Sequence, residues 1–452
     1  MKHTNKRITT LEQKFGKMWL SKTKKSRKRI LDTNPINLRI KMRDLILSEI
    51  DKIKCDNLEH ILYIMSISEW GEKKISRGLH LLGSGASGIA FDGCMDIDCN
   101  LKIVTKISKI YSSPAFNYTR KTRLGFHPIK CEIKLLIKFT KDILLKNISP
   151  HFSLYYGDFD CASSIIKKIP TTSPQWLNKF NRDIDNGDIL DKVKLLIVEQ
   201  SSNDLDRITR QKLTESQWYA ILFQICHMLA LAQYYVPGFR HNDLKLDNIL
   251  VDVFPLIENT YYHYKMFDKD YYLPNIGIRI KMWDLDFACC EAIKNQKVED
   301  DWSNTFGCTS LPNPIYDLHS LLNITFCYNE ADLPVNIIKV IKKYLTTKDP
   351  KLVSKFSKSA SQIDLSGYQS LFTKYGRLTG NTVFGDENDQ VNVIPNDMPS
   401  PADLLIDPKS IFKRFLKKPK LPNKIIKVYD TKIPNNTAVR KRKDMFNVFI
   451  NT

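Results

Sequence analysis

The run His241-Asn242-Asp243-Leu244-Lys245-Leu246-Asp247-Asn248-Ile249-Leu250 holds the residue types that phosphoryl transfer needs, at fixed spacing. Asp243 offers a carboxylate that can accept a hydroxyl proton. Asn248 offers an amide oxygen to a hard cation, and Lys245 a positive charge beside a transferring phosphoryl group. His241 supports the loop and is not a general base. A second acid must hold the metal on the phosphates. The run Ile280-Lys281-Met282-Trp283-Asp284-Leu285-Asp286-Phe287-Ala288 allows two registers for it. An apolar strand that ends in an acid gives Asp284; the literal Asp-Phe pair gives Asp286. The first register is preferred, because the residues before Asp284 complete a strand and Leu285 supplies the apolar neighbour.

Upstream, Gly83, Gly85 and Gly88 form G-x-G-x-x-G in Leu82-Gly83-Ser84-Gly85-Ala86-Ser87-Gly88. Glycines let backbone N–H groups approach phosphate oxygens. The following Ile89-Ala90-Phe91 reads as a strand, so the loop is a flap between strands and not a dinucleotide-binding turn before a helix. In isolation the motif also fits a plain hairpin. Ile103-Val104-Thr105-Lys106-Ile107 places Lys106 among β-formers, where its ammonium can hold α- and β-phosphates. No Asp or Glu lies between Lys106 and Glu132, so Glu132, in the expected helix around Cys131–Leu136, is the best candidate to orient that lysine.

From about Gly83 to Tyr344 the chain resembles the eukaryotic-type protein kinases, and most closely the divergent serine/threonine kinases of large DNA viruses of the poxvirus, iridovirus and mimivirus type. That resemblance implies a protein serine/threonine kinase that moves the γ-phosphoryl group of ATP, with Mg²⁺, onto protein Ser/Thr hydroxyls. It implies an α+β, bilobal fold with a small β-rich N-lobe and a helical C-lobe, extended at both ends by basic segments. It also makes Glu199, in Val198-Glu199-Gln200, a hinge residue and Asp204 the ribose-contacting acid. Tyr316-Asp317-Leu318 resembles the helix whose buried Asp braces the catalytic loop. Asn242 stands where an arginine commonly reads activation-loop phosphorylation, and no Ala-Pro-Glu motif lies between Asp284 and Asp317; both departures point to an enzyme not switched that way. Two other readings share these residues: a small-molecule kinase of the aminoglycoside or choline type, and a catalytically dead scaffold. Lys245 and the three glycines favour the protein kinase over the first. The presence of Lys106, Glu132, Asp243, Asn248 and Asp284 speaks against the second.

The elements that position these residues follow from hydrophobic spacing. The expected organisation is a basic arm over 1–35, an amphipathic helical extension over 36–74, an N-lobe over 75–200, a C-lobe over 201–375, and a polar, then basic tail over 376–452. A helix is expected over 129–139, a buried strand over 195–198, and a long helix opened by a capping box at Thr214 and Gln217. Residues 261–272 read as an insertion between Asn248 and Asp284. The net charge of +20 is concentrated at the ends: residues 1–50 hold 14 Lys/Arg against 4 Asp/Glu, and residues 401–452 hold 13 against 4. Such ends suit a polyanion, nucleic acid or an acidic membrane, and equally a solvated arm. No run of about 18 apolar residues suggests a membrane span. The ten scattered cysteines suit reduced thiols and an intracellular setting, host cytoplasm or virion if viral, with the basic run 22–29 also compatible with a nuclear address. Cys94 and Cys99 lack a second pair at zinc-site spacing.

Overall fold

The computed structural model describes residues 39–41, 43–44, 47, 80–85, 87–94, 102–112, 126–168, 174–254, 256–299, 310, 312–329, 332–344, 346–347, 364–365, 368–370, 399–420, 424–431 and 433. The expected basic arm, most of the helical extension, the run 22–29, Cys99 and residues 434–452 lie outside this set. The main elements in chain order are strands β1 (His80–Ser84), β2 (Gly88–Cys94) and β3 (Lys102–Tyr111), helix α1 (Pro128–Phe139), β4 (Tyr155–Ala162), α2 (Pro174–Asp185), β5 (Ile189–Glu199), β6 (Asn203–Asp204), α3 (Glu215–Tyr235), β7 (Ile249–Val253), β8 (Thr260–Met266), β9 (Lys269–Pro274), β10 (Ile278–Met282), α4 (Tyr316–Asn329), α5 (Pro401–Ile406) and β11 (Lys424–Asp430). The architecture is α+β.

The chain divides into two compact units, residues 1–118 with 153–200, and residues 119–152 with 201–452. Residues 119–152, grouped by sequence with the small lobe, cluster with the second unit. The first unit is built on one antiparallel sheet in the order β1-β2-β3-β5-β4. Its inner strand β5 is continuously buried from Val193 to Glu199, as a strand flanked on both sides must be. The helical residues 39–41, 43–44 and 47 belong to this unit, and Arg39 ties them to it: its guanidinium donates to both Glu199 carboxylate oxygens at 2.5 and 2.6 Å.

The core of the second unit is α3. It is buried from Trp218 to Gln233 on every face, which is the pattern of a helix enclosed by other elements. Thr214 and Gln217 form the expected reciprocal capping box. Two small sheets flank this core, β10-β7-β6 and β11-β8-β9. The insertion is the β8–β9 hairpin, closed by Phe267 and Asp268, both with positive φ (54° and 57°), the signature of a type I′ turn. Strand β11 comes from the far C-terminus and pairs in parallel with β8. The tail expected to be merely polar and basic therefore contributes structure: Phe412 and Tyr429 are fully buried. Cys131, Cys226, Cys289 and Cys290 are buried free thiols, whereas Cys161 is disulfide-bonded, against the expectation for that residue. Among the described residues no helix is long and apolar enough to cross a membrane.

Candidate active site

Strands β7 and β10 run antiparallel with Ile249 opposite Met282, so the loop before β7 and the loop after β10 emerge at the same end. A backbone bond from Trp283 N to Asn248 O (3.1 Å) continues the pairing past the strands. This places Asn248 and Asp284 side by side in the chain trace. Three contacts set the position of β10. Gln224 of α3 donates to Ile278 O (3.2 Å) and accepts from Ile280 N (3.1 Å). His151 lies within 2.9 Å of Ile280 O through Nδ1; a carbonyl can only accept, so Nδ1 carries the proton and Nε2 accepts from the Tyr264 hydroxyl at 3.1 Å.

The loop itself is held by buried polar contacts. The Asp317 carboxylate accepts from His241 N (2.8 Å) and Asn242 N (3.0 Å). Asp317 is wholly enclosed; burial raises its pKa, opposed by the neighbouring His241 and Arg240 and by those two N–H groups. Arg240 lies over the Tyr316 ring at 3.9 Å. Asn242 adopts the left-handed region (φ 63°), which asparagine tolerates better than arginine. Its amide reaches Phe287 O (3.1 Å) and Cys289 Sγ (3.3 Å), tying the loop to the segment after Asp284. His241 Nε2 donates to Trp283 O at 2.7 Å, a structural task that matches the supporting role expected for it.

Asn248 donates through Nδ2 to Asp243 O (2.7 Å) and Asp243 Oδ2 (3.1 Å). One nitrogen thus orients the Asp243 carboxylate, and the amide oxygen is the atom left to bind a cation. Lys245 Nζ is 3.1 Å from Asp247 and 4.0 Å from Asp243. The two acids after β10 differ sharply. Asp284 is half-buried at a left-handed turn (φ 54°). Asp286 is buried and ion-paired to buried Lys297, whose ammonium also lies over the Phe287 ring at 3.8 Å. Asn295 holds the same turn by donating to Asp286 O (2.8 Å) and Ala288 O (3.1 Å).

Among the described residues, no group of three His, Cys, Asp or Glu side chains forms a metal cage. The oxygens of Asn248 and Asp284 are hard donors of the type Mg²⁺ takes, and that ion ordinarily binds few protein ligands and keeps several waters. The residues present fit it.

The remaining site residues are distributed over both units. Glu132 lies in the second, fully buried on α1, which packs against the turn 285–287. Asp204 is also there, on β6 beside Leu250, and its Oδ1 caps the following helix by accepting from Arg207 N at 2.7 Å. The first unit holds Gly83, Gly85, Gly88, Lys106 and Glu199. A Cβ on Gly83 or Gly85 would meet nothing within 4 Å, whereas one on Gly88 would lie 2.4 Å from Ile107 O. Gly88 is therefore required by the approach of β3, while the first two glycines leave open space over the loop. Lys106 is half-buried opposite Ala90 and Leu196. The Glu199 side chain is engaged by Arg39 and by Leu154 N (3.3 Å), and its backbone N–H donates to Leu154 O at 3.0 Å. Sequence reasoning missed Arg39, Lys297 and Asn295, which are common polar residues in unremarkable surroundings and carry no local signal.

No family model matches the chain. It is 29% identical over 292 residues to "Putative serine/threonine-protein kinase R400" of Acanthamoeba polyphaga mimivirus, covering 60% of this chain and 62% of that one. It is 27% identical over 237 residues to "Putative serine/threonine-protein kinase R301" of the same virus, covering 44% and 60%. The chain spans less than two thirds of the length of these relatives. It is similar to divergent viral proteins of serine/threonine-kinase type.

Proposed function

We propose that this kinase-like chain is a serine/threonine protein kinase that transfers the γ-phosphoryl group of ATP to a Ser or Thr hydroxyl of a protein. The observation that carries the reading is the Asp243–Asn248 pair, fixed by the amide bond between them and braced through Asp317, with Asp284 delivered beside Asn248 by the β7–β10 pairing. Asp243 accepts the proton of the acceptor hydroxyl, and its orientation by Asn248 keeps one oxygen directed for that task. Lys245 offsets charge on the transferring group. Asn248 and Asp284 hold Mg²⁺, which when bound neutralises charge on the phosphates. Asp284 and not Asp286 is the metal-holding acid, because Asp286 is committed to Lys297.

In this reading Gly83, Gly85 and Gly88 cover the phosphates, Lys106 holds them, Glu132 is the acid assigned to that lysine, Glu199 is a hinge residue and Asp204 meets the ribose. The decisive experiment offers radiolabelled ATP and Mg²⁺ to the full chain with a mixed panel of proteins and small alcohols. Acid-stable label on Ser or Thr is the expected result. Label on the small alcohols alone overturns the protein-kinase reading, and no transfer at all favours a scaffold.

A further inference from the structure

We propose that Trp176 is a positioning residue for the nucleotide, bracing the glycine loop from helix α2. The inference rests on the reading of residues 83–88 as the loop that covers ATP phosphates. Helix α2 buries only two side chains, Trp176 and Phe180, one turn apart and stacked with ring centroids 5.2 Å apart. Leu177 and Ile184 are half-buried and the other residues are half-buried or exposed, so the two rings are its only fully buried anchors. One of them does more than pack: Trp176 Nε1–H donates to Gly85 O at 3.2 Å. Within the loop, Gly85 N donates to Gly88 O at 2.8 Å. Gly85 is thus held through both its backbone groups, in a segment whose first two glycines have no neighbour where a side chain would be.

The helix is itself fastened to β3, which pairs with the strand that follows the loop. Lys109, buried on β3, pairs with Asp183 of α2 at 2.7 Å and lies 5.6 Å from the Trp176 ring centroid. Its backbone N–H donates to Ser87 O at 2.9 Å. Ser112 Oγ reaches Gly187 O and Asp188 O just beyond the end of the helix, at 2.5 and 3.1 Å. Loop, strand and helix therefore close into one network. Glycine-rich segments lose much conformational freedom when they order on a ligand, and a loop ordered beforehand binds more tightly because that cost is already met. The Trp176 N–H is the group that does this ordering at the loop tip.

Trp176→Phe keeps the stacked ring and removes only the donor. Amide exchange at residues 83–88 should quicken, and KM for ATP should rise about 2- to 10-fold, the value of one net hydrogen bond, with kcat within about two-fold. Asp183→Asn, which loosens the helix from Lys109, should shift both readouts the same way by less, and it serves as the test if Trp176→Phe fails to fold. Unchanged loop exchange and unchanged KM in a folded variant overturn the proposal and leave Trp176 a packing residue. If the wild-type chain binds no Mg·ATP by calorimetry, the kinase reading fails, and the exchange measurement still decides whether Trp176 orders the loop.

Discussion

Residues 240–250 with 283–290, and residues 260–274 with 399–433, belong to the same unit and are held by different means. The first region is a web of short-range polar contacts. Asp317 fastens two N–H groups, Asn242 and Asp284 take left-handed backbone, His241 ties the loop to Trp283 O and Asn248 closes it onto Asp243. The second region is assembled by apolar burial and strand pairing across great distances in the chain. Phe412 and Phe415 meet Phe223 edge-on at 5.4 and 5.6 Å, Tyr429 packs on Tyr264 at 5.0 Å, and Thr431 N donates to Lys265 O at 3.0 Å. Polar webs impose residue identity at each position, because a mismatched buried donor or acceptor costs more than the bond is worth. Apolar assembly imposes only size and pattern. The first region should thus fail through chemistry when mutated, and the second through stability.

The largest expected effect tests the first half of that contrast. Asp243→Asn should lower kcat by at least about 10²-fold, the lower end of what a positioned base contributes, with little change in melting temperature. Asp284→Asn should lose activity comparably and abolish its dependence on Mg²⁺. Asp286→Asn should behave otherwise. It leaves Lys297 buried without its carboxylate, a loss of about 3–5 kcal/mol of stability, while the Mg²⁺ requirement stays. A stable Asp286→Asn protein that no longer responds to Mg²⁺ would move the metal site to Asp286 and erase the distinction between the two acids.

Phe412→Ala should cost about 3–5 kcal/mol in denaturant unfolding, the usual range for a large aromatic removed from a core. The folded fraction should retain its kcat. The same logic applies to the tail, which composition alone shows only as polar and then basic. Deleting 399–433 strips α5, Phe412 and β11 from α3 and β8, so it should unfold the second unit where Asp243→Asn does not. A truncated chain with unchanged melting temperature would sink the view of the tail as part of the core.

The same contrast explains what could be read without coordinates. The run 241–248 was legible because each residue answers to a local demand. Thr214 and Gln217, and the apolar stretch of β5, were legible for the same reason. The placement of the tail was not. Segment 399–433 is separated from its partner by more than 130 residues, and its Lys-rich composition hides Phe412, Phe415 and Tyr429 in a pattern of no fixed period. Gln224 is a polar residue on an apolar helix, and only the fold shows it holding β10 by both its amide atoms. Asp286 reads from sequence as an alternative metal ligand, and its ion pair with Lys297 is visible only in the fold.

A smaller effect probes buried ionisable groups in the core. Burial lowers the His319 pKa to about 3 from its usual 6.5. A histidine held neutral in the folded state and protonated in the unfolded one leaves its contribution to stability intact above about pH 6.5, and that contribution falls as the pH drops towards the folded value. The unfolded state binds the extra proton, so stability declines with acid by up to about 1.4 kcal/mol per pH unit for this one group. His227, held neutral by burial and by neighbouring His151, adds in the same direction. His319→Leu should flatten the acid limb of a stability–pH curve between pH 6 and 4 by roughly one proton's worth of slope. An unchanged slope would mean that His319 is protonated in the folded protein.

The smallest effect returns to a local, legible device at the surface end of the core helix α3. Thr214 caps α3: its Oγ1 accepts from Gln217 N at 3.3 Å, and Gln217 Oε1 accepts from Thr214 N at 2.9 Å. Both ends of this box lie at the surface, away from the tail and from Asp243, so its loss leaves no buried charge and opens no cavity. Thr214→Ala should therefore cost only about 1 kcal/mol, seen as a fall of about 2–4 °C in melting temperature, with kcat unchanged. Because the two bonds are reciprocal, Gln217→Ala should cost a similar amount and the double variant less than the two together. Strict additivity would show that each residue satisfies its own N–H independently, and the box would then be two separate caps rather than one coupled unit.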